Sequence, residues 1–109
     1  MTSYKYVTEI YKDSDFDTHV LQSPLPALVV FTAEWSGPSN ELLPIVNKIG
    51  EDYQGRAKIF SIDIDDCPET TKKYSVTEAP TAIAFKGGEK TGEDAGLCSR
   101  EMLIKLLGI

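Results

Sequence analysis

Few residues in this 109-residue chain have side chains suited to covalent chemistry. Two serines, Ser36 and Ser39, flank Gly37-Pro38 directly after Trp35. A serine hydroxyl is barely ionised at neutral pH, so it attacks only when a neighbouring base takes its proton and an acid orients that base. The chain has one histidine, His19, in a separate segment. Cys67 and Cys98 are the only thiols. They form no C-x-x-C pair and are too few for a zinc site. Cys67 precedes Pro68 at the expected start of a short helix; a small residue in a loop is the preferred reading there, and a thiol activated by backbone amides for peripheral redox or modification chemistry the minor one. Asp63, Asp65 and Asp66 lack the glycine and distal glutamate of a calcium loop and read as a solvated acidic rim. Taken by itself, Ser36-Gly37-Pro38-Ser39 is a helix start: serine caps well and proline suits the first turn.

The elements that must hold these residues follow from periodicity. Tyr4, Tyr6, Val7 and Thr8 predict a short first strand. Ser14-Asp15-Phe16-Asp17 matches a capping box, and Phe16, Val20 and Leu21 give the following helix an apolar stripe until Pro24 and Pro26 stop it. Ala27 to Ala33 is nearly all apolar, as in a central strand covered on both faces. A second helix carries Leu42, Ile45, Val46, Ile49 and Tyr53 on one side, with a kink expected at Pro44 and a stop at Gln54-Gly55. Ile59, Phe60, Ile62 and Ile64 form a further buried strand. Pro68 opens a short helix. The run Ala82 to Phe85, the turn Lys86-Gly87-Gly88-Glu89 and a return to about Ala95 make a hairpin, with Gly92 a candidate bulge. Ser99 caps a last helix with Leu103, Leu106 and Leu107 inward and Gly108 as its stop. The first part alternates β-α-β, which implies parallel pairing, and the hairpin adds an antiparallel edge.

Composition narrows the setting. The length predicts one domain over residues 1–109, long enough to bury a core without metal or disulfide staples. A formal charge of −6 and a pI of about 4.7 speak against nucleic acid and against anionic membranes. No apolar run approaches the roughly 18 residues of a membrane span, and the N-terminus lacks the apolar core of a signal peptide. A cytoplasmic setting with both cysteines reduced is therefore expected.

Four stretches in order identify a resemblance. Phe16-Asp17-Thr18 with Val20-Leu21, Phe31 to Ser39, Asp63-Ile64-Asp65 with Pro68 and Lys73-Tyr74, and Ala79-Pro80-Thr81 followed by Phe85 to Glu89 resemble the thioredoxin family over nearly the whole chain. Trp35-Ser36-Gly37-Pro38-Ser39 is similar to the family's Trp-Cys-Gly-Pro-Cys site with both cysteines replaced by serine. The resemblance implies an α/β thioredoxin fold, a central mixed five-stranded sheet flanked by four helices. It places Ser36 and Ser39 at the positions of the nucleophilic and resolving cysteines, and His19 away from them. It makes Pro80 a cis-proline, with Ala79 pairing by its backbone to an extended protein segment, and it turns Cys98 inward. Trp35, Gly37, Pro38, Ala79, Pro80, Gly96 and Leu97 would form the contact surface.

The family reaction needs a thiolate, stabilised at a helix N-terminus, that attacks a disulfide and is released by the second cysteine. Serines cannot do this, so the chain as written is expected to be redox-inactive, with no cofactor and no metal. Val30 stands where the family has a buried aspartate, Thr32 in place of a second tryptophan, and Ser61 in place of a lysine. Two readings remain. One is a Cys-to-Ser form of an active protein-disulfide reductase, whose parent would be served by a thioredoxin reductase. The loss of only the two sulfurs, each to its closest isostere, favours this reading. The other is a naturally redox-dead binding module or adaptor using the Trp35–Pro80 face, favoured by Val30, Thr32 and Ser61. Protein partners and a monomer are expected in both.

Overall fold

The computed structural model describes residues 4–109. Five strands, β1 (Thr8–Ile10), β2 (Ala27–Thr32), β3 (Lys58–Asp63), β4 (Thr81–Lys86) and β5 (Glu89–Ala95), form one sheet in the order β1-β3-β2-β4-β5. The β1–β3 and β2–β3 pairs are parallel, whereas β2–β4 and β4–β5 are antiparallel. The helices are α1 (Asp13–Phe16), continued by a π-helical stretch (Asp17–Leu21), then α2 (Gly37–Asp52), α3 (Pro68–Lys73) and α4 (Arg100–Leu107).

Strand periodicity divides the core into two layers. Leu28 and Val30 of β2, Ile59 of β3, and Ala82 and Ala84 of β4 pack with Leu42, Val46 and Ile49 of α2 and Leu103 and Leu107 of α4. The alternate residues Val29, Phe31, Phe60, Ile62, Ile83 and Phe85 pack with Phe16, Val20 and Cys67. β2 is covered on both faces, which is why its sequence is apolar without alternation. Phe16, Tyr74 and Phe85 meet in tilted and edge-on contacts with ring centroids 5.2–5.6 Å apart.

Local chemistry explains where the sequence expectations shift. The first strand begins at Thr8, not at Tyr4, because the preceding segment is held against α2. The Tyr6 amide donates to Asn47 Oδ1 at 2.8 Å, and Tyr6 lies so close to Gly50 that a Cβ there would sit 2.6 Å from the Tyr6 carbonyl oxygen. The expected Ser14 capping box does not form: α1 starts at Asp13 after Lys12, which makes no side-chain cap bond. The Asp13 carboxylate instead accepts from the Glu69 and Thr70 amides at 3.3 and 2.7 Å, capping α3 from across the fold. The first helix ends in wider turns, the Gln22 amide donating to Asp17 O, before Pro24.

α2 runs through Pro44 without a break. Pro44 has no N–H, so the helical bond to the Asn40 carbonyl is missing there. Gly87 and Gly88 both have positive φ (60° and 83°), the geometry a tight hairpin turn demands. The bulge falls next to Gly92: Ala84 pairs with Gly92 and Phe85 with Lys90, leaving Thr91 as the extra residue. Ser99 caps α4 by accepting from the Met102 amide, and Gly108 closes it with φ 71°.

Candidate functional site

Ser36 lies just beyond the C-terminal end of β2 and is the N-cap of α2. Its extended backbone (φ −95°, ψ 112°) turns the side chain back over the helix start, where Oγ accepts from the Ser39 amide at 3.2 Å. The same hydroxyl donates to the Ala79 carbonyl at 3.1 Å. Ser39 is fully buried, and its Oγ accepts from the Ala33 amide at 3.3 Å. Both hydroxyls therefore serve as fixed joints between the strand end, the helix and the loop before β4.

The Ala79–Pro80 peptide is cis. The Pro80 carbonyl accepts from the Gly96 amide at 2.8 Å, which brings the end of β5 alongside. Three separate loops thus converge: residues 33–39, 78–81 and 96–98. Two large apolar side chains stand out from this end of the molecule, Trp35 at 72% exposure and Leu97 at 51%. Gly37 and Pro38 are exposed, Ala79 and Gly96 half-buried, and Pro80 buried. Tryptophan is among the residues most enriched where proteins make their energetically dominant contacts.

Acid–base groups are missing from the centre of this arrangement. Val30, fully buried on β2, packs toward α2, and β2 contains no titratable side chain. Ser61 lies beside Val30 in the β2–β3 register. His19 is exposed and lines a 570 Å³ cavity with Lys5 and Lys58; that cavity includes none of the residues around Ser36 and Ser39. Among the described residues both serine hydroxyls are hydrogen-bonded to backbone groups and to no side-chain base.

The two thiols, Cys67 and Cys98, are unbonded to each other, as expected, and both are buried. Cys67 does sit at the N-cap of α3, but its pKa is not lowered. Burial, and then the negative charges of Asp13, Asp66, Asp15 and Asp63, push it up to about 11. Its Sγ donates to the Ile10 carbonyl at 3.7 Å. Cys98 packs inward as expected, and burial followed by Asp94 pushes its thiol up to about 11 as well. The structure supports the unreactive reading of Cys67: burial and the surrounding carboxylates outweigh the helix terminus that the alternative reading relied on.

The comparisons agree with this architecture. A family model described as Thioredoxin matches residues 7–108. The chain is similar to thioredoxin M4, chloroplastic, of Arabidopsis thaliana, 41% identical over 95 residues, 87% of this chain and 49% of that protein. It is similar to the thioredoxin of Rickettsia conorii, 40% identical over 92 residues, 84% of this chain and 88% of that protein. It is also similar to thioredoxin 1 of a Nostoc species, 35% identical over 95 residues, 87% of this chain and 89% of that one. The chain therefore spans about half of the plant relative and nearly all of the bacterial ones. With that family model covering nearly the whole chain and relatives 35–41% identical over more than four-fifths of it, the chain belongs to the thioredoxin family.

Proposed function

We propose that this chain is a redox-inactive thioredoxin that binds extended protein segments at the Trp35–Pro80 face and carries no disulfide exchange. The observation that supports this most directly is the Ser36 hydroxyl. It stands at the helix N-terminus where exchange requires a thiolate, and it is hydrogen-bonded into the loop before Pro80. A hydroxyl there keeps the geometry and removes the chemistry, because it neither ionises at neutral pH nor forms a mixed disulfide. Ala79 supplies backbone groups for strand addition, and Trp35 and Leu97 supply apolar contact. In this reading Ser36 and Ser39 mark the two redox positions, and Gly37, Pro38, Pro80 and Gly96 complete the contact surface. The setting is cytoplasmic, the chain is monomeric, and a thioredoxin reductase would serve a cysteine-bearing parent.

The test is the double change Ser36→Cys/Ser39→Cys, assayed for reduction of a protein disulfide by a dithiol reductant beside the unchanged chain. Turnover by the double variant and background by the unchanged chain is expected, and identifies the serines as the lesion in a working reductase. A double variant at background would favour the second reading, a binding module that has lost redox work altogether. Val30 favours that reading, since a buried valine offers no proton path to a resolving thiol. Activity in the unchanged chain would sink both.

A further inference from the structure

A cavity lies beside Ala33 and Glu34, the residues that lead into Trp35. It holds about 290 Å³ at the C-terminal ends of β1, β2 and β3, at the lower end of the range for small-ligand sites. Ala33 and Glu34, which lead directly into Trp35, form one wall, and Asn40 and Leu43 of α2 form another. Four carboxylates, Glu9, Glu34, Asp63 and Asp66, line it, and among the described residues no lysine, arginine or histidine does; Glu9 also accepts from the Tyr11 hydroxyl and Asp63 from the Asp65 amide. Sheet register explains the clustering. Glu9 pairs with Ser61, Ser61 with Val30 and Asp63 with Thr32, so successive residues on one sheet face open into the same space.

Ser61 forms the floor. It is only 7% exposed, and its hydroxyl has no hydrogen-bond partner among the described residues. No occluded side-chain oxygen or nitrogen lacks a partner, so this hydroxyl keeps its outlet through the cavity it lines. Some polar ligand atom, or water, must serve it. Thr32, by contrast, already donates to the Ile62 carbonyl.

An unserved hydroxyl below, acids around the rim and apolar walls of Ile10 and Leu43 suit a flexible alkyl stem ending in a compact positive charge. A lysine ammonium, with three rotatable donors, matches scattered single oxygens better than a planar guanidinium, which seeks paired ones. We propose that this cavity is a specificity pocket for a lysine side chain of the protein segment held at the Trp35–Pro80 face. The inference rests on the binding-face reading and adds the chemistry of the partner.

The test uses the full chain and two capped amino acids, N-acetyl-lysine methylamide and its uncharged norleucine counterpart, followed through backbone amide NMR shifts. Saturable shifts at Ala33, Glu34, Ser61 and Asp63 with the lysine compound are expected, at least tenfold tighter than with norleucine and weaker at high salt. Equal responses, or none, overturn the pocket. Ser61→Lys would fill the cavity with the chain's own cation and is expected to abolish the response; a retained response overturns the assignment. If that variant fails to fold, Glu9→Gln/Asp63→Asn serves instead and should cost at least fivefold. An extended norleucine peptide, read by fluorescence of Trp35, the sole tryptophan, separates the two levels. If the peptide binds and capped lysine does not, only the pocket is lost. If capped lysine binds and no peptide, with lysine or norleucine, perturbs Trp35, the binding face itself is lost, and with it the partner assignment.

Discussion

Ser36 and Cys67 occupy the same kind of place, the N-cap of a helix just after a strand, and their surroundings send them to opposite ends. At α2 the terminus is capped from within: the Ser36 hydroxyl takes the Ser39 amide, and Gly37 and Pro38 face solvent. At α3 the terminus is capped from outside: Asp13 takes two amides, and Cys67 is sealed beneath with its pKa raised. The helix dipole is present at both. What differs is where the negative charge sits. A carboxylate on the helix start already uses the amides that would have stabilised a thiolate. A helix N-terminus is therefore a usable anion site only when the fold leaves its amides unclaimed.

The largest expected effect is on thiol reactivity. With both thiols pushed up to about 11 from an ordinary 9.0, their thiolate fraction near neutral pH is roughly 100-fold below that of an unperturbed cysteine. Timed reaction with a disulfide reagent should leave both untouched in the native chain and consume two equivalents after unfolding. Ready native labelling of Cys67 would contradict the burial argument. The same raised values predict alkaline destabilisation. A thiol whose folded pKa lies above its unfolded value contributes stability fully present below the unfolded pKa and lost as pH rises through the folded one, here from about 9 to 11.

Next comes Ser39→Ala. It removes the only side-chain acceptor for the Ala33 amide in a fully buried place, and a buried donor left unmade costs about 1–3 kcal/mol. Urea unfolding measures it; a loss below about 0.5 kcal/mol would mean that the Ala33 amide finds another partner.

Asp13→Ala should cost about 1–2 kcal/mol by uncapping α3, and it should lower the Cys67 pKa by removing one of the charges that raises it. For Asp13 itself, burial raises the carboxyl pKa, but the hydrogen bonds from the Thr70 and Glu69 amides outweigh this and hold it below the usual value. A depressed folded pKa means stability present above the unfolded pKa and lost as pH falls through the folded one. The difference between the unchanged chain and Asp13→Ala should accordingly shrink in acid. A gap that is constant with pH would deny the carboxylate its role.

The smallest effect is that of Ser36→Ala, about 1 kcal/mol for a lost N-cap. Ser36→Asp should recover most of it, because an acid also caps and suits the dipole.

The site was more legible in the residues than the cavity or the caps were. Trp35 to Ser39 and Ala79-Pro80-Thr81 are short contiguous strings that are legible through their resemblance to a family motif; taken alone, the first is only a helix start. β2 could be read from its unbroken apolar run, and α2 from its stripe, because a strand covered on both faces and a half-buried helix leave distinct periodicities. The misplaced start of β1 and the absent capping box at Ser14 have one cause. Asn47 claims the Tyr6 amide, and Asp13 is claimed by α3; both partners lie far along the chain.

What the sequence alone determined is the order and type of the elements, the presence of serine at positions 36 and 39, and the acidic balance of the chain. These depend on side-chain identity and on periods of two and 3.6 residues. Tertiary structure alone decided that Cys67 is buried with its pKa pushed up, that Asp13 caps a distant helix, and that Glu9, Glu34, Ser61, Asp63 and Asp66 share one cavity. Each of these depends on strand register and on burial, which bring together charges and hydrogen-bonding groups that the chain keeps tens of residues apart.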